Sequence, residues 1–192
     1  MIVMITIRTA TEADAEKLLE IYKPYILNTA ITFEYDVPSA EEFRERIRKT
    51  LLKYPYLAAE ENGEIIGYAY AGAFKERAAY DWAVETSIYV RTDKKRCGVG
   101  KMLYAALEDI LKKQNILNVN ACIAYAEKED EYLTNNSVHF HEHLGYTEVG
   151  RFHKCGYKFG RWYDMVWLEK YIGKHSENPE KVKWFSEISR CL

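Results

Sequence analysis

Apolar residues at Ile2, Val3, Ile5 and Ile7 predict a first β-strand, and Thr9-Ala-Thr-Glu12 after it has the hydroxyl-then-carboxylate spacing of a helix capping box. A helix is expected next. Ala15, Leu18, Leu19, Tyr22 and Ile26 form one stripe at helical spacing that ends before Asn28. Ser39-Ala-Glu-Glu42 repeats the capping pattern and opens a second helix with Phe43, Ile47 and Leu51 inward, stopped by Tyr54-Pro55. The period then changes to two. Tyr56 to Glu60 and Glu64 to Ala73 read as strands joined by Asn62-Gly63, a dipeptide that accepts the positive φ of a tight hairpin.

From Trp82 to Val90, Val84, Thr86, Ile88 and Val90 alternate with Glu85, Ser87 and Tyr89, so one face is mainly apolar and the other carries a carboxylate. Leu103, Ala106, Leu107, Ile110 and Leu111 then describe a helix, Val119 to Ala124 a strand, and Val138, Phe140 and Leu144 a short helix closed by Gly145. Tyr146 to Phe152 and Asp164 to Leu168 read as two last strands flanking a glycine- and aromatic-rich stretch. No internal repeat is visible. The pattern gives one α/β (α+β) domain over residues 1–170 and a tail, 171–192, that is either a helix packed on the body or a frayed end.

Composition narrows the class of partner. Of the 192 residues, 48% are hydrophobic and 29% charged, with 10 Gly and 4 Pro, which excludes disordered and collagen-like chains. Lys plus Arg number 27 against 29 Asp plus Glu, so no overall positive field draws the chain to nucleic acid or anionic lipid. Neither a signal segment nor a membrane span is expected. Cys97, Cys122, Cys155 and Cys191 lie far apart and lack metal-ligand spacing, so a reducing cytoplasm without structural metal or disulfides fits best. The 16 Tyr point to an aromatic-lined cleft or a subunit interface.

The segment Arg91 to Lys101 is the most informative. Gly98 and Gly100 remove Cβ atoms where backbone must approach a ligand, a new helix starts there with unpaired N–H groups, and Lys94, Lys95, Arg96 and Lys101 add positive charge. A pyrophosphate fits such a cradle. Lys101 is followed by Met102, so this is not a Walker loop, and the full GxGxxG of dinucleotide folds is absent. A solvated basic turn is the competing reading.

Strand, loop, helix and strand in this order, with Lys95-Arg-Cys-Gly-Val-Gly100 at the turn, resembles the acetyl-coenzyme A motif of the GCN5-related N-acetyltransferase (GNAT) superfamily. Lys95 stands where that family usually has Gln or Arg, replacing a planar side chain by a point charge. Four further stretches, with Tyr80 to Val90, extend the likeness to the phosphinothricin acetyltransferases. These are Thr32-Phe33-Glu34, Tyr70 to Arg77, Ser137 to Tyr146, and Gly156 to Asp164. The resemblance implies a mixed, strongly twisted central sheet with two splayed strands, flanked by helices, and a homodimer. It implies acetyl-CoA as cosubstrate, held by Ile88, Tyr89, Val90, Lys95, Arg96, Cys97, Gly98, Val99, Gly100 and Lys101, and a small-molecule amine acceptor lined by Phe33, Lys75, Arg77 and Tyr80.

The same resemblance assigns catalysis to Glu85 and His141. An α-amine has a reference pKa of about 8 and needs a base, which matches Glu85. An exposed strand carboxylate or a salt-bridge partner for Lys75 or Arg77 is the bland alternative. His141 stands where many members carry a Tyr that serves the leaving sulfur; a half-exposed histidine beside His139 and His143 is its alternative. A backbone N–H near Val90 would meet the acyl oxygen. Cys97 lacks a His-Asp relay, so direct transfer is expected over a ping-pong route. The family Asn before Ser137 is displaced, leaving Asn135 or Asn136 to replace it, and Glu127 to Glu131 looks like an insertion in the coenzyme wall. Lys75 and Arg77 fit an anionic amino acid or analogue such as phosphinothricin, methionine sulfoximine or methionine sulfone. A polyamine, aminoglycoside or protein amine is the competing acceptor, and a coenzyme-binding sensor without chemistry the competing class.

Overall fold

The computed structural model describes residues 4–189; Ile2, Val3 and Cys191 lie outside the described residues. Strands β1 (Ile5–Thr9), β2 (Tyr56–Glu61), β3 (Glu64–Ala73), β4 (Ala83–Val90), β5 (Asn118–Tyr125), β6 (Thr147–Lys158) and β7 (Arg161–Tyr171) form one sheet in the order β1-β2-β3-β4-β5-β7-β6. Every neighbouring pair is antiparallel except β4 and β5. The Asn62-Gly63 turn has φ 54° and 83°, the left-handed pair that such a hairpin requires.

Strand alternation sorts the sheet into two cores. Helix α3 (Val99–Lys113) lays Leu103, Leu107 and Leu111 on the face that carries Val84, Val119, Ala121, Val166 and Leu168. Helices α1 (Ala15–Asn28) and α2 (Ala40–Lys53) cover the opposite face of β2, β3 and β4, with Leu18, Ile26, Phe43 and Ile47 inward. Many of the tyrosines collect here. Tyr56, Tyr68 and Tyr70 stack in series, and Tyr22 and Tyr25 meet Tyr89 edge-on at 4.7 and 5.2 Å. Leu107 is fully buried, and truncating such a residue to Ala typically costs about 2 to 5 kcal/mol.

The entry to α1 differs from the sequence expectation. Thr9 belongs to β1, and Thr11 is the cap: its N–H and hydroxyl donate to Asp14 Oδ2 at 2.7 and 2.9 Å over one 3-10 turn. The cause is tertiary. Arg8 donates to both Asp14 oxygens at 2.8 Å and to Glu60, and this guanidinium holds the Asp14 carboxyl down at about 2. At α2, by contrast, Ser39 and Glu42 cap as expected, the Glu42 N–H donating to Ser39 Oγ at 3.2 Å.

The last two strands are longer than alternation indicated. β6 carries irregularities between Glu148 and Gly150 and between Phe152 and Gly156, which break the period, and Phe159-Gly160 makes a left-handed turn (φ 52° and 74°). The glycine- and aromatic-rich stretch is therefore this hairpin. The acidic segment before α4 (Asn136–His143) is ordered by Asp130, which accepts from the Tyr132 and Leu133 amides at 2.8 and 2.9 Å and from the Tyr163 hydroxyl at 3.0 Å. In the tail, a four-residue helix α5 (Phe185–Ile188) follows Trp184, which packs edge-on against Tyr54, while Phe185 is buried. Gln114 ties this segment down, donating to the Lys53 and Lys183 carbonyls at 2.8 Å each.

Candidate active site

Between β4 and β5 the ladder runs only from Ala83 opposite Asn118 to Glu85 opposite Asn120. Beyond that point the strands part. β4 stays with β3 as far as Val90, and β5 stays with β7 as far as Tyr125. The Arg91 N–H donates to Ile66 O on the β3 side at 2.8 Å, so alternation turns the Ile88 and Val90 amides toward the edge that β5 has left. A slot of about 60 Å³ lies in the fork, lined by Thr86, Ser87, Ile88, Tyr89, Cys122, Tyr104 and His141 among others.

The chain leaves β4 through left-handed residues at Arg96 (φ 64°) and Gly98 (φ 80°) and enters α3 with no side-chain cap. The first helical bond runs from Met102 N–H to Gly98 O, which leaves the Val99, Gly100 and Lys101 amides as open donors. At Gly100 a Cβ would stand 3.0 Å from the Phe140 ring, so its glycine answers to α4 as well as to a ligand. Lys95 places its Nζ 4.9 Å from the centre of the Tyr25 ring. Cys97 is exposed and its thiol contacts only the Lys95 carbonyl, at 3.6 Å.

Glu85 sits at the point of divergence. Burial pushes its carboxyl above the ordinary glutamate range, and the Lys75 charge pulls it partly back. Its surroundings do not match an exposed strand carboxylate. A carboxyl raised in this way is, once ionised, a stronger base than a free glutamate. On the same sheet face lies Cys122, an exposed free thiol that also lines the slot.

His141 is only 3% exposed, so the alternative of a half-exposed helix histidine does not hold. Its Nδ1 lies 2.7 Å from Ser137 O, which can only accept, so Nδ1 carries the proton. Its Nε2 lies 2.9 Å from the Tyr104 hydroxyl and accepts from it. Burial pulls the imidazole down to about 4, so it is neutral at neutral pH and has no free N–H to give to sulfur. Tyr104 also reaches Thr86 Oγ1 at 3.3 Å.

The acceptor-side residues do not form one wall. Lys75 and Tyr80 line an open groove of about 740 Å³ with Trp82, Asn120, Phe152 and Trp167, extended by His175 and Pro179 of the tail. The Lys75 Nζ stands 5.7 Å from the Trp167 ring centre and 5.3 Å from that of Phe74. Arg77 is exposed at the start of a 3-10 turn. Phe33 lies apart from the groove, against Gly156 of β6.

Residues 7–167 match the family described as Acetyltransferase (GNAT) domain. The chain belongs to the GNAT acetyltransferases. It is 36% identical over 167 residues to a phosphinothricin N-acetyltransferase of Streptomyces viridochromogenes, covering 86% of this chain and 87% of the relative. A relative from Salmonella typhimurium, an L-methionine sulfoximine/L-methionine sulfone acetyltransferase, is 30% identical over 172 residues, or 89% and 96% of the two chains. Among solved structures, a GNAT superfamily phosphinothricin acetyltransferase from Sinorhizobium meliloti in complex with AcCoA superposes with a TM-score of 0.82 at 31% identity, covering 94% and 98%.

As a GNAT acyltransferase the chain uses acetyl-CoA, and the fork fits it: open amides at the start of α3, unpaired β4 amides at Ile88 and Val90, and a narrow slot between them. Among the described residues no cluster of His, Cys, Asp or Glu could hold a metal ion. Asn135 bridges to both main-chain groups of Ala126, accepting from its N–H at 3.1 Å and donating to its carbonyl at 2.9 Å, whereas the Asn136 amide donates to Thr134 Oγ1. Sequence reasoning missed Tyr104, Cys122 and Trp167. For Tyr104 a signal existed, a hydroxyl-bearing aromatic one helical turn past Gly100 and beside the apolar stripe of α3.

Proposed function

We propose that the chain is an N-acetyltransferase for the α-amine of a small anionic amino acid or analogue, of the phosphinothricin or methionine sulfoximine and sulfone type. The observation that carries the reading is Glu85, half-buried where β4 and β5 part, with the Lys75 charge on its acceptor side. Acetyl-CoA, when bound, supplies a thioester whose acyl carbon is open to an amine. The open amides of Val99, Gly100 and Lys101 would hold its diphosphate, and the Ile88 and Val90 amides would hold the carrier and offer donors to the acyl oxygen. Glu85 takes the proton from the amine, directly or through one water. His141 Nε2 accepts from the Tyr104 hydroxyl and fixes it in the wall of the slot; with both groups committed to each other, the coenzyme leaves as a thiolate that takes its proton from solvent. Lys75 and Arg77 attract the acceptor's carboxylate, Tyr80 shapes the groove, and Phe33 bounds the site from the separate loop that also supplies Ile31 to the slot.

Lys75 in the groove, with Arg77 exposed two residues further on, argues against a polyamine or aminoglycoside acceptor, which calls for an acidic cleft. A half-buried carboxylate beside the slot argues against a sensor without chemistry. A homodimer belongs to the same reading: Phe152 (57% exposed) and Trp162 (61%) leave apolar surface on the β6–β7 edge of the sheet. A cytoplasmic setting suits the free thiols at Cys97, Cys122 and Cys155. No helix among the described residues is long and apolar enough to cross a membrane.

A thiol-release assay with acetyl-CoA across L-phosphinothricin, L-methionine sulfone, ordinary amino acids, spermidine and kanamycin tests the reading. Turnover is expected with the anionic acceptors. Turnover confined to spermidine or kanamycin overturns the acceptor class, and acetyl-CoA binding without turnover on any of them favours the sensor.

A further inference from the structure

Two stretches of sequence, Thr32-Phe33-Glu34 and Gly156 to Asp164, meet in the fold although Thr32 and Lys158 are 126 residues apart. Three consecutive residues of β6 grip the loop 29–35. Gly156 receives the Phe33 ring so closely that a Cβ there would stand 2.3 Å from a ring carbon. The Tyr157 carbonyl accepts from the Tyr35 hydroxyl. Lys158, only 2% exposed, donates from Nζ to Thr29 O at 2.9 Å and to Thr32 O at 2.7 Å.

An ammonium taken out of water to meet two neutral carbonyls is costly, and Lys158 has no salt-bridge partner among the described residues. An apolar side chain of the same length would fill the space at lower cost. What the ammonium adds is a simultaneous hold on two carbonyls three residues apart, which fixes the turn immediately before Phe33. The Thr32 hydroxyl is tied a second time, to Tyr22 at 2.8 Å, and Tyr22 stacks edge-on against Tyr89 of β4. The loop is thus braced between β6 and the strand that carries Glu85.

We propose that Lys158 is a positioning residue for the acceptor: its buried ammonium sets the turn of residues 29–32 that presents Phe33, while the coenzyme cradle is independent of it. This rests on the reading of Phe33 as part of the acceptor site. The Lys158→Met variant of the full chain is compared with wild type in three measurements: amide hydrogen exchange at residues 29–35, the acetyl-CoA Kd by calorimetry, and KM and kcat with L-methionine sulfone and L-phosphinothricin. Expected are faster exchange in that loop, an acceptor KM raised roughly tenfold, kcat within about threefold and Kd within about twofold of wild type. Lys158→Gln, which keeps N–H donors on a shorter reach, shows a smaller KM effect and serves if the methionine variant does not fold. Gly156→Ala displaces the Phe33 ring with Lys158 intact and gives the same KM-only change. Unchanged exchange, a loosened loop with unchanged KM, or equal losses in Kd and KM would each overturn the proposal. A wrong substrate class shows already in the wild-type chain; a wrong assignment of Lys158 shows only in the variants.

Discussion

The two halves of the site are built from different materials. On the coenzyme side, a single contiguous segment from β4 to α3 presents main-chain amides, and its side chains look elsewhere: Lys95 lies over Tyr25 and Arg91 pairs with Glu64 and Asp93. On the acceptor side, Lys75 and Tyr80 follow β3, Trp167 comes from β7, and Phe33 rides on a loop held by β6. Backbone donors survive side-chain change but not a change of φ. Side chains drawn from separate elements, as in the proposed acceptor site, have the opposite weakness, and this difference says which substitutions should disturb which substrate.

Replacing Lys75 and Arg77 together by Met should have the largest effect, raising KM for an anionic acceptor roughly a hundredfold with the acetyl-CoA Kd unchanged. Steady-state kinetics beside calorimetry would read it; an equal loss on an uncharged amine acceptor breaks the comparison.

His141 is the exception on the coenzyme side, a buried side chain whose proton balance matters. Its folded pKa of about 4 lies below the unfolded reference of about 6.5, so its contribution to stability is complete above about 6.5 and is lost as pH falls toward 4. At pH 5 this amounts to about thirtyfold in the folding equilibrium. Urea titrations from pH 7 to 5 should show the decline, and His141→Gln should flatten it; parallel curves would contradict the burial argument.

Smaller still is Gly98→Val. Forcing a branched residue to φ 80° should raise the acetyl-CoA Kd about tenfold and leave acceptor KM alone. Lys95→Ala, by contrast, should stay within about threefold. A Lys95 effect larger than that of Gly98 would mean that the cradle works through side chains after all.

The same division explains what could be read from the chain before the fold was known. The coenzyme segment is contiguous, so Gly98, Gly100 and the alternation that isolates Glu85 were legible directly, as were the Ser39 cap and the Asn62-Gly63 hairpin. Thr11 displaced Thr9 as a cap because Arg8 reaches across to Asp14 and Glu60, a contact over 52 residues for the latter that no local pattern contains. β6 was cut short because its bulges interrupt the period. The helical pattern puts His141 on its helix, but its neutral state depends on burial, which spacing does not reveal. Phe33 was named without its partner, since the Lys158 brace exists only once β6 has folded beside the loop.

The most direct measurement is kcat against pH for wild type and Glu85→Gln, at saturating acetyl-CoA and acceptor. Since burial raises the Glu85 carboxyl, its basic form is lost as pH falls through a value above the ordinary glutamate range. Wild type should therefore show an acid limb that the variant lacks, with turnover about 10² to 10⁴ lower in the variant and its acetyl-CoA Kd unchanged. Superimposable profiles of similar height would remove the carboxylate from the chemistry.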